Sequence, residues 1–549
     1  MKQVLPATVV VILLAAVFYW TMAPGNFWAD SAAFATTNQI LGLPHSPSFP
    51  LYTLVGRIAN IILPVSPAMA GNILSAIFGA ASGAILFFMI VHFFQTGSSG
   101  RWLKIISAAS GALAACLSAA VWQSSIRTEV YTLQLFLSLM FLLLFFKGVR
   151  VGDRGKRIRL FALAVLMQGL SFANHPLLAL VTVPVLVSMP FYLLQRRRFF
   201  TWIKFSGVSV ALLCICLTAY LYLPVRAGED PAINSGQPKS VGTAVNAVMR
   251  LNDSEYAAAN QAKADYKTRV VNLMLFLFEQ SGLILLVGFL FGWFVLWRRK
   301  RSESLAILSV ILAGFAITLW SADFRLVNYD IVAYTALPLA LLLAVGMFGI
   351  YCLAVSYAKN SKLRNLAPVV MLLIVFFQFS GNLYACDFST TTGPDTLAEN
   401  ILSSAPENAL VIVNDGAILL PLWYHLYAEP MRTDVAVISA GALYRKSYRG
   451  EIATLYPDLR LPQEFHELPS DSIGYIMERI AYLNSFQRPV LVQFGTPGIR
   501  AELLSPRGIL FKFTTEPHMF TGDFEQARNI FEAVRCQATD LLTKDVVGR

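Results

Sequence analysis

Five short polar clusters interrupt an otherwise apolar chain, and each carries side chains able to move a proton or hold a phosphate. The first, Asn26-Phe-Trp-Ala-Asp30, places a carboxylate a few residues beyond the opening apolar run. An ionised carboxylate can take the proton of a hydroxyl as that hydroxyl attacks an electrophile. Aspartate ahead of a helical run also serves as an N-cap, so spacing alone leaves both roles open for Asp30. The same loop continues as Gly42-Leu-Pro-His45-Ser-Pro-Ser-Phe-Pro-Leu-Tyr52, a proline-rich turn holding an imidazole. Arg127-Thr-Glu129-Val-Tyr131 pairs a cation with an anion, as either a structural salt bridge or a site would. Asn174-His175-Pro176 reads as a hydrogen-bonded turn or as part of a site. In Tyr222-Leu-Pro-Val-Arg226, followed by Pro231-Ala-Ile-Asn234-Ser-Gly-Gln-Pro238, the guanidinium either grips a phosphate through two donors or snorkels to the interface. The fifth cluster, Asp323-Phe-Arg325 with Asn328-Tyr-Asp330 and Tyr334, fits a helix cap or a site.

The elements that must position these clusters are membrane helices. Of 549 residues, 56% are hydrophobic and 14% charged, where a soluble chain carries about 25% charged residues. A bilayer core of about 30 Å needs roughly 20 apolar residues per helix. About eleven stretches qualify, from Leu5–Ala23 to Ala367–Ala385. The first has only Lys2 ahead of it and no clear small-residue cleavage site, so it reads as a retained helix rather than a signal peptide.

The net charge of +11 would suit a nucleic-acid partner were it spread over one surface. Instead the cations gather in alternate loops: Arg101/Lys104, Lys147 to Arg159, Arg196-Arg197-Arg198, Arg298-Arg299-Lys300-Arg301 and Lys359/Lys362/Arg364. Such loops stay in the cytoplasm. The N-terminus is therefore expected inside, in an inner (plasma) membrane, and the partner is lipid rather than nucleic acid. All five polar clusters then share the extracytoplasmic face, beyond reach of ATP or nucleotide-sugars.

After Ala385 the texture changes. Residues 1–385 read as the membrane domain and 386–549 as a soluble extracytoplasmic α/β domain. Strands are expected from Leu410, Val435, Val490 and Ile509, with helices over Ser472–Asn484 and Asp523–Leu542. Cys386 and Cys536 flank this tail and are candidates for a disulfide in an oxidising compartment. No CxxC or HExxH spacing occurs. No metal site is therefore assigned, and nothing in the sequence supports a divalent ion.

Taken in order, Trp-x-Asp, Gly-Leu-Pro-His-x-Pro-x-x-Pro-Leu-Tyr, Glu-Val-Tyr, Asn-His-Pro and Pro-x-Arg…Asn-x-Gly-x-Pro resemble the protein O-mannosyltransferase-like family of GT-C membrane glycosyltransferases. In the tail, Asn414-Asp415-Gly416, Pro421-Leu-Trp-Tyr424 and Arg432-Thr-Asp434-Val extend the likeness over most of the chain. The resemblance implies a polytopic α-helical GT-C fold and transfer of mannose or a similar hexose from a polyprenyl-phosphate donor to a protein or envelope-glycan hydroxyl. It implies Asp30 as catalytic base and a polyprenyl-phosphate-sugar as donor substrate, and leaves a divalent metal open. Arg226, helped by His175 or Arg127, is expected to receive the leaving phosphate. Asn174, Glu129, His45, Tyr52, Asn234 and Asp330 are expected to bind substrate. The chain departs from the family at Ala33, where a Glu is expected, and at Asn234-Ser235-Gly236, where the family has Asn-Trp-Gly. A transporter or flippase is the competing reading, although transporters place polar groups at mid-membrane and often show repeated halves.

Overall fold

The computed structural model describes residues 3–94, 100–193, 199–249, 265–321, 324, 329–357, 361–466 and 473–517. Among them, nine helices are long and apolar enough to cross a membrane, from Val4–Thr21 to Leu366–Cys386. Arg101–Cys116 and Ala119–Ser125, bent by 70° at their junction, are together apolar and long enough for one more crossing, as a broken span or a re-entrant loop. The helix Arg154–Asn174 fills the remaining expected place; its cations are confined to the first two turns. Each of the eleven expected stretches thus coincides with a helix, with shifted ends. The stretch Gln280–Trp297 is the second half of a helix running Tyr266–Arg299, broken at Gly282 (φ 58°). The stretch Ile331–Leu353 is split into a short turn, Tyr329–Ala333, and a long helix, Ala336–Tyr357.

The basic ends meet at one face. Glu303, fully buried, accepts from Arg150 through both oxygens at 2.6 and 2.7 Å and lies 3.2 Å from His92 Nε2, while the Lys300 ammonium donates to the His92 carbonyl. Three helix ends are tied there by one carboxylate.

Lipid offers no hydrogen bonds, so a helix break must be satisfied from within the protein. At the 117–119 break, Asn382 Nδ2 donates to the Leu117 carbonyl (2.9 Å) and Gln280 Oε1 accepts the Ala119 N–H (2.8 Å). Gln280 and Asn382 are themselves joined at 3.0 Å. The break redirects the chain so that Ile126 accepts the Ala23 N–H at 2.9 Å, delivering residues 127–129 to the foot of the first loop. Elsewhere close packing is set by glycine. Helix Tyr266–Arg299 crosses Ala336–Tyr357 at Gly288, Gly292, Gly346 and Gly349, where a Cβ on Gly349 would lie 1.8 Å from the Gly288 carbonyl oxygen. Small residues at a crossing let backbones approach this closely.

The tail folds as a five-stranded sheet of β1 (Leu410–Val413), β2 (Ala436–Ser439), β3 (Val490–Val492), β4 (Leu504–Arg507) and β5 (Leu510–Phe513), in the order β2-β1-β3-β5-β4. Strands β2, β1 and β3 run parallel; β5 and β4 are antiparallel. The sequence pattern misses β4 because Leu-Ser-Pro-Arg carries little apolar signal, and its proline is tolerated at a sheet edge. A helix spans Ile473–Ser485, near the expected place. The expected helix Asp523–Leu542 and Cys536 lie outside the described residues, and Cys386 is buried at the base of the tail.

The tail is anchored on the face opposite the basic ends. Phe388 N–H donates to the Thr21 carbonyl (2.9 Å), and Asp395 accepts the Asn26 N–H (3.1 Å). The Tyr424 hydroxyl accepts the Ala68 N–H (3.2 Å), and Glu451 accepts the Gly236 N–H (3.2 Å).

Two outcomes are expected. Replacing Gly349 by Leu forces the two backbones apart and should destabilise the protein by at least about 1–3 kcal/mol, read as a lower thermal midpoint in detergent. Burial pushes the Glu451 carboxyl up to about 7, against a smaller opposing pull from Arg445. Between the unfolded value of 4.5 and about 7 the folded state binds more protons, so stability should fall as pH rises through that window. The loss is at most about 3 kcal/mol. Glu451→Gln should flatten this slope in unfolding measured across pH.

Candidate active site

The first loop is not the simple turn its prolines predict. It folds into two helices, Asp30–Ile40 and Pro50–Ile62. Ala29, at φ 55°, holds the N-cap position, and Asp30 is the first helical residue. The N-cap alternative for Asp30 is thereby removed. At that position the helix dipole favours a negative charge. Pro50, whose ring presets a helical φ, starts the second helix.

The linker between the two helices is held from behind. Leu43 N–H donates to the Ile233 carbonyl (2.8 Å), and Ser235 N–H donates to the Leu43 carbonyl (3.1 Å). Asn234, buried, donates to the Ala227 carbonyl at 3.2 Å, and Tyr222 reaches the Gly42 carbonyl at 3.1 Å. Arg226 donates to the carbonyls of Leu41 (2.9 Å) and Ile40 (3.2 Å). Arg226, expected to receive the leaving phosphate, thus holds two backbone carbonyls. The guanidinium closes the C-terminal end of the helix that Asp30 begins, about 15 Å away at 1.5 Å per residue. Exposed helix-end carbonyls attract a cation, as a phosphate does, and sequence spacing does not separate the two.

Around Asp30 the structure gathers four other charged or titratable side chains and the Ser31 hydroxyl. His45 Nε2 lies 3.7 Å from Asp30 Oδ2. Ser31 Oγ, next in the chain, donates to Glu129 at 3.1 Å. Glu129 pairs with Arg127 at 2.9 Å, and Arg127 pairs with Asp330 at 2.7 Å. The Arg127 guanidinium also lies 5.6 Å from the Phe27 ring centroid. Arg127 and Glu129 are fully buried, whereas the side chains of Asp330, Asp30 and His45 are 21%, 30% and 39% exposed. The last three can therefore meet a ligand directly. Burial pushes the Glu129 carboxyl well above its usual range; Arg127 opposes this, and the charges of Asp330 and Asp30 add to it.

His175 Nδ1 accepts the Leu178 N–H at 3.3 Å, and its ring packs against Phe49, Tyr131 and Tyr334, with centroids 5.3, 5.9 and 5.7 Å away. From Tyr131 and Tyr334 a cleft of about 300 Å³, counted with its open mouth, descends between helices, lined by Gln134, Ser138, Leu178 and Leu337. Asn174 and Tyr52 are fully buried. Asn174 donates to the Val130 carbonyl (3.2 Å) and Gln134 (3.1 Å), and Tyr52 packs on Phe34 at 5.5 Å. Asp323, Arg325 and Asn328 lie outside the described residues. Among the described residues, no three His, Cys, Asp or Glu side chains converge as metal ligands.

Sequence reasoning missed Phe27, Ser31 and Ser75, which accepts nothing visible in a pattern but takes the Glu129 N–H at 3.1 Å. A hydroxyl inside an apolar helix is the only signal these serines carry.

The fold is a GT-C-like polytopic helical architecture with a C-terminal α/β unit. It is similar to a crystal structure of ArnT from Cupriavidus metallidurans bound to undecaprenyl phosphate (TM-score 0.57, 10% identity, 92% of this chain and 97% of that one). It is also similar to the Archaeoglobus fulgidus oligosaccharyltransferase (TM-score 0.50, 12% identity, 88% and 68%). The resemblance drawn from the motifs is found again in sequence: the family model for the protein O-mannosyl-transferase TMEM260 N-terminal domain matches residues 30–198. Protein O-mannosyl-transferase TMEM260 of Mus musculus is 25% identical over 490 residues, 82% of this chain and 64% of its own length. The Dictyostelium discoideum protein of that name is 20% identical over 545 residues, 90% of this chain and 64% of its length. The chain thus spans less than two thirds of these relatives.

Arg127→Ala leaves Glu129 buried without its cation and should cost about 3–5 kcal/mol. Adding Glu129→Gln should recover part of that loss, because a neutral amide tolerates burial far better. Denaturant unfolding of the single and double variants measures both.

Proposed function

We propose that this chain is a membrane glycosyltransferase that moves a sugar from a polyprenyl-phosphate donor to a hydroxyl acceptor on the extracytoplasmic face. The observation that carries the reading is a part-exposed carboxylate, Asp30, set beside the ion cluster of buried Arg127 with Glu129 and Asp330, with an apolar cleft descending from Tyr131 and Tyr334. The GT-C-like fold, the TMEM260 relatives and the undecaprenyl phosphate bound to ArnT support it. The alternating basic loops support the orientation, with the N-terminus and the Glu303 face cytoplasmic.

In this mechanism the lipid tail enters the cleft and its phosphate lies by Tyr131, Tyr334 and His175. The acceptor oxygen bonds to the anomeric carbon while the bond from that carbon to the phosphate oxygen breaks, its electron pair leaving with the phosphate. Asp30 takes the acceptor's proton, and a single displacement inverts the anomeric centre. Arg127, rather than Arg226, is the cation that answers the charge growing on the leaving group. Such a preplaced charge favours the transition state over the ground state. The tail, braced on the Asp30 helix through Tyr424 and Ala428 against Ala35 and Ala68, is the surface available to hold a protein or glycan acceptor. Mannose or a similar hexose is the sugar this reading favours, by likeness to the relatives.

The test is mass spectrometry of envelope glycans and glycoproteins from a deletion strain carrying either the wild-type gene or Asp30→Asn. A modification lost on deletion should return with the wild-type chain and stay at least about 100-fold lower with Asp30→Asn. Full restoration by Asp30→Asn removes Asp30 from the chemistry. An unchanged glycan profile with impaired uptake of a solute points to the transporter instead.

A further inference from the structure

The proposed reaction leaves a proton on Asp30 that must be gone before the next turnover. Asp30 opens a helix, and the positive end of the helix dipole favours its ionised form. That proton must pass on to a base that is within reach and open to solvent. His45 is that base. Its Nε2 faces Asp30 Oδ2 at 3.7 Å, and its side chain is the most exposed of the cluster, at 39%. The gap exceeds a hydrogen bond in the absence of substrate, and catalytic contacts commonly tighten only in the reacting complex.

The imidazole is held in place to do this. Its ring is flanked by Phe34 and Phe49, with centroids 5.9 and 5.4 Å away. Its carbonyl accepts the Ser48 N–H at 2.9 Å, and Leu43, two residues earlier, is paired on both sides with the 233–235 segment. Glu129 lies one Ser31 away from Asp30, and His175 lies on the far side of Phe49.

Resting on Asp30 as the base, we propose that His45 receives from Asp30 the proton taken from the acceptor hydroxyl and releases it to solvent. The proton leaves the acceptor oxygen for a carboxylate oxygen, then passes to Nε2, giving an imidazolium that loses it to water. His45 acts through Asp30, so it is a positioning and relay residue.

The experiment compares Asp30→Asn, His45→Ala and His45→Gln in membranes, following the rate of the modification lost on deletion, with and without added imidazole. Glutamine fills much of the same space and hydrogen-bonds but accepts no proton. Expected are an inactive Asp30→Asn and a fall of about ten- to a hundredfold in kcat, with KM unchanged, for both His45 variants. Imidazole should restore His45→Ala and leave His45→Gln slow. A wild-type rate for His45→Gln, or an Ala variant slowed but deaf to imidazole, overturns the relay while Asp30 keeps its role. If His45→Ala fails to accumulate, His45→Gln alone decides. A fully active Asp30→Asn overturns both readings.

Discussion

One buried cation organises the active face. Arg127 sits where water cannot reach it, so it must be surrounded by opposite charge or be expelled. Its partners come from different parts of the chain: Glu129 two residues on, and Asp330 two hundred residues later. Through Ser31 the same cluster fixes the start of the Asp30 helix. The low dielectric that makes an orphaned Arg127 so costly also makes the satisfied cluster rigid. The site is thereby assembled from three segments by a requirement that none can meet alone.

The second organising constraint is lipid. A broken helix inside a bilayer needs its freed backbone groups satisfied by neighbouring side chains. Gln280 and Asn382 do this for the 117–119 break, and the redirected chain then carries Arg127 and Glu129 to the mouth. Polar residues deep in apolar helices thus serve the site at a distance, by aiming an element that bears functional groups. At the opposite face the Glu303 cluster joins three helix ends. The bundle is pinned at both ends by charge and along its length by close glycine crossings.

Between these lies the first loop, whose two helices form the floor of the open site. Arg226 secures one end of the Asp30 helix, and the tail domain secures its back and the chain leading into it. The 233–238 segment touches the His45 linker on one side and Glu451 of the tail on the other. The tail and the linker are therefore joined through one short segment, by the Glu451 side chain on one side and by backbone hydrogen bonds on the other.

Membrane character, the number and order of spanning helices and the grouping of polar clusters on one face are all legible in the sequence. Each depends on local composition: apolar length and loop charge are properties of a continuous stretch. The buried strands β1, β2, β3 and β5 declare themselves for the same reason, while β4, a short edge strand with a proline, does not. Asp30 and the pairing of Arg127 with Glu129 are visible because the residues are neighbours in sequence. What the sequence leaves open is which charge answers which. Arg226 has the chemistry of a phosphate ligand, yet it closes a helix end, and Asp330 looks like a cap, yet it completes the Arg127 cluster. Those assignments depend on distances between segments far apart in the chain, and such distances exist only once the helices have packed.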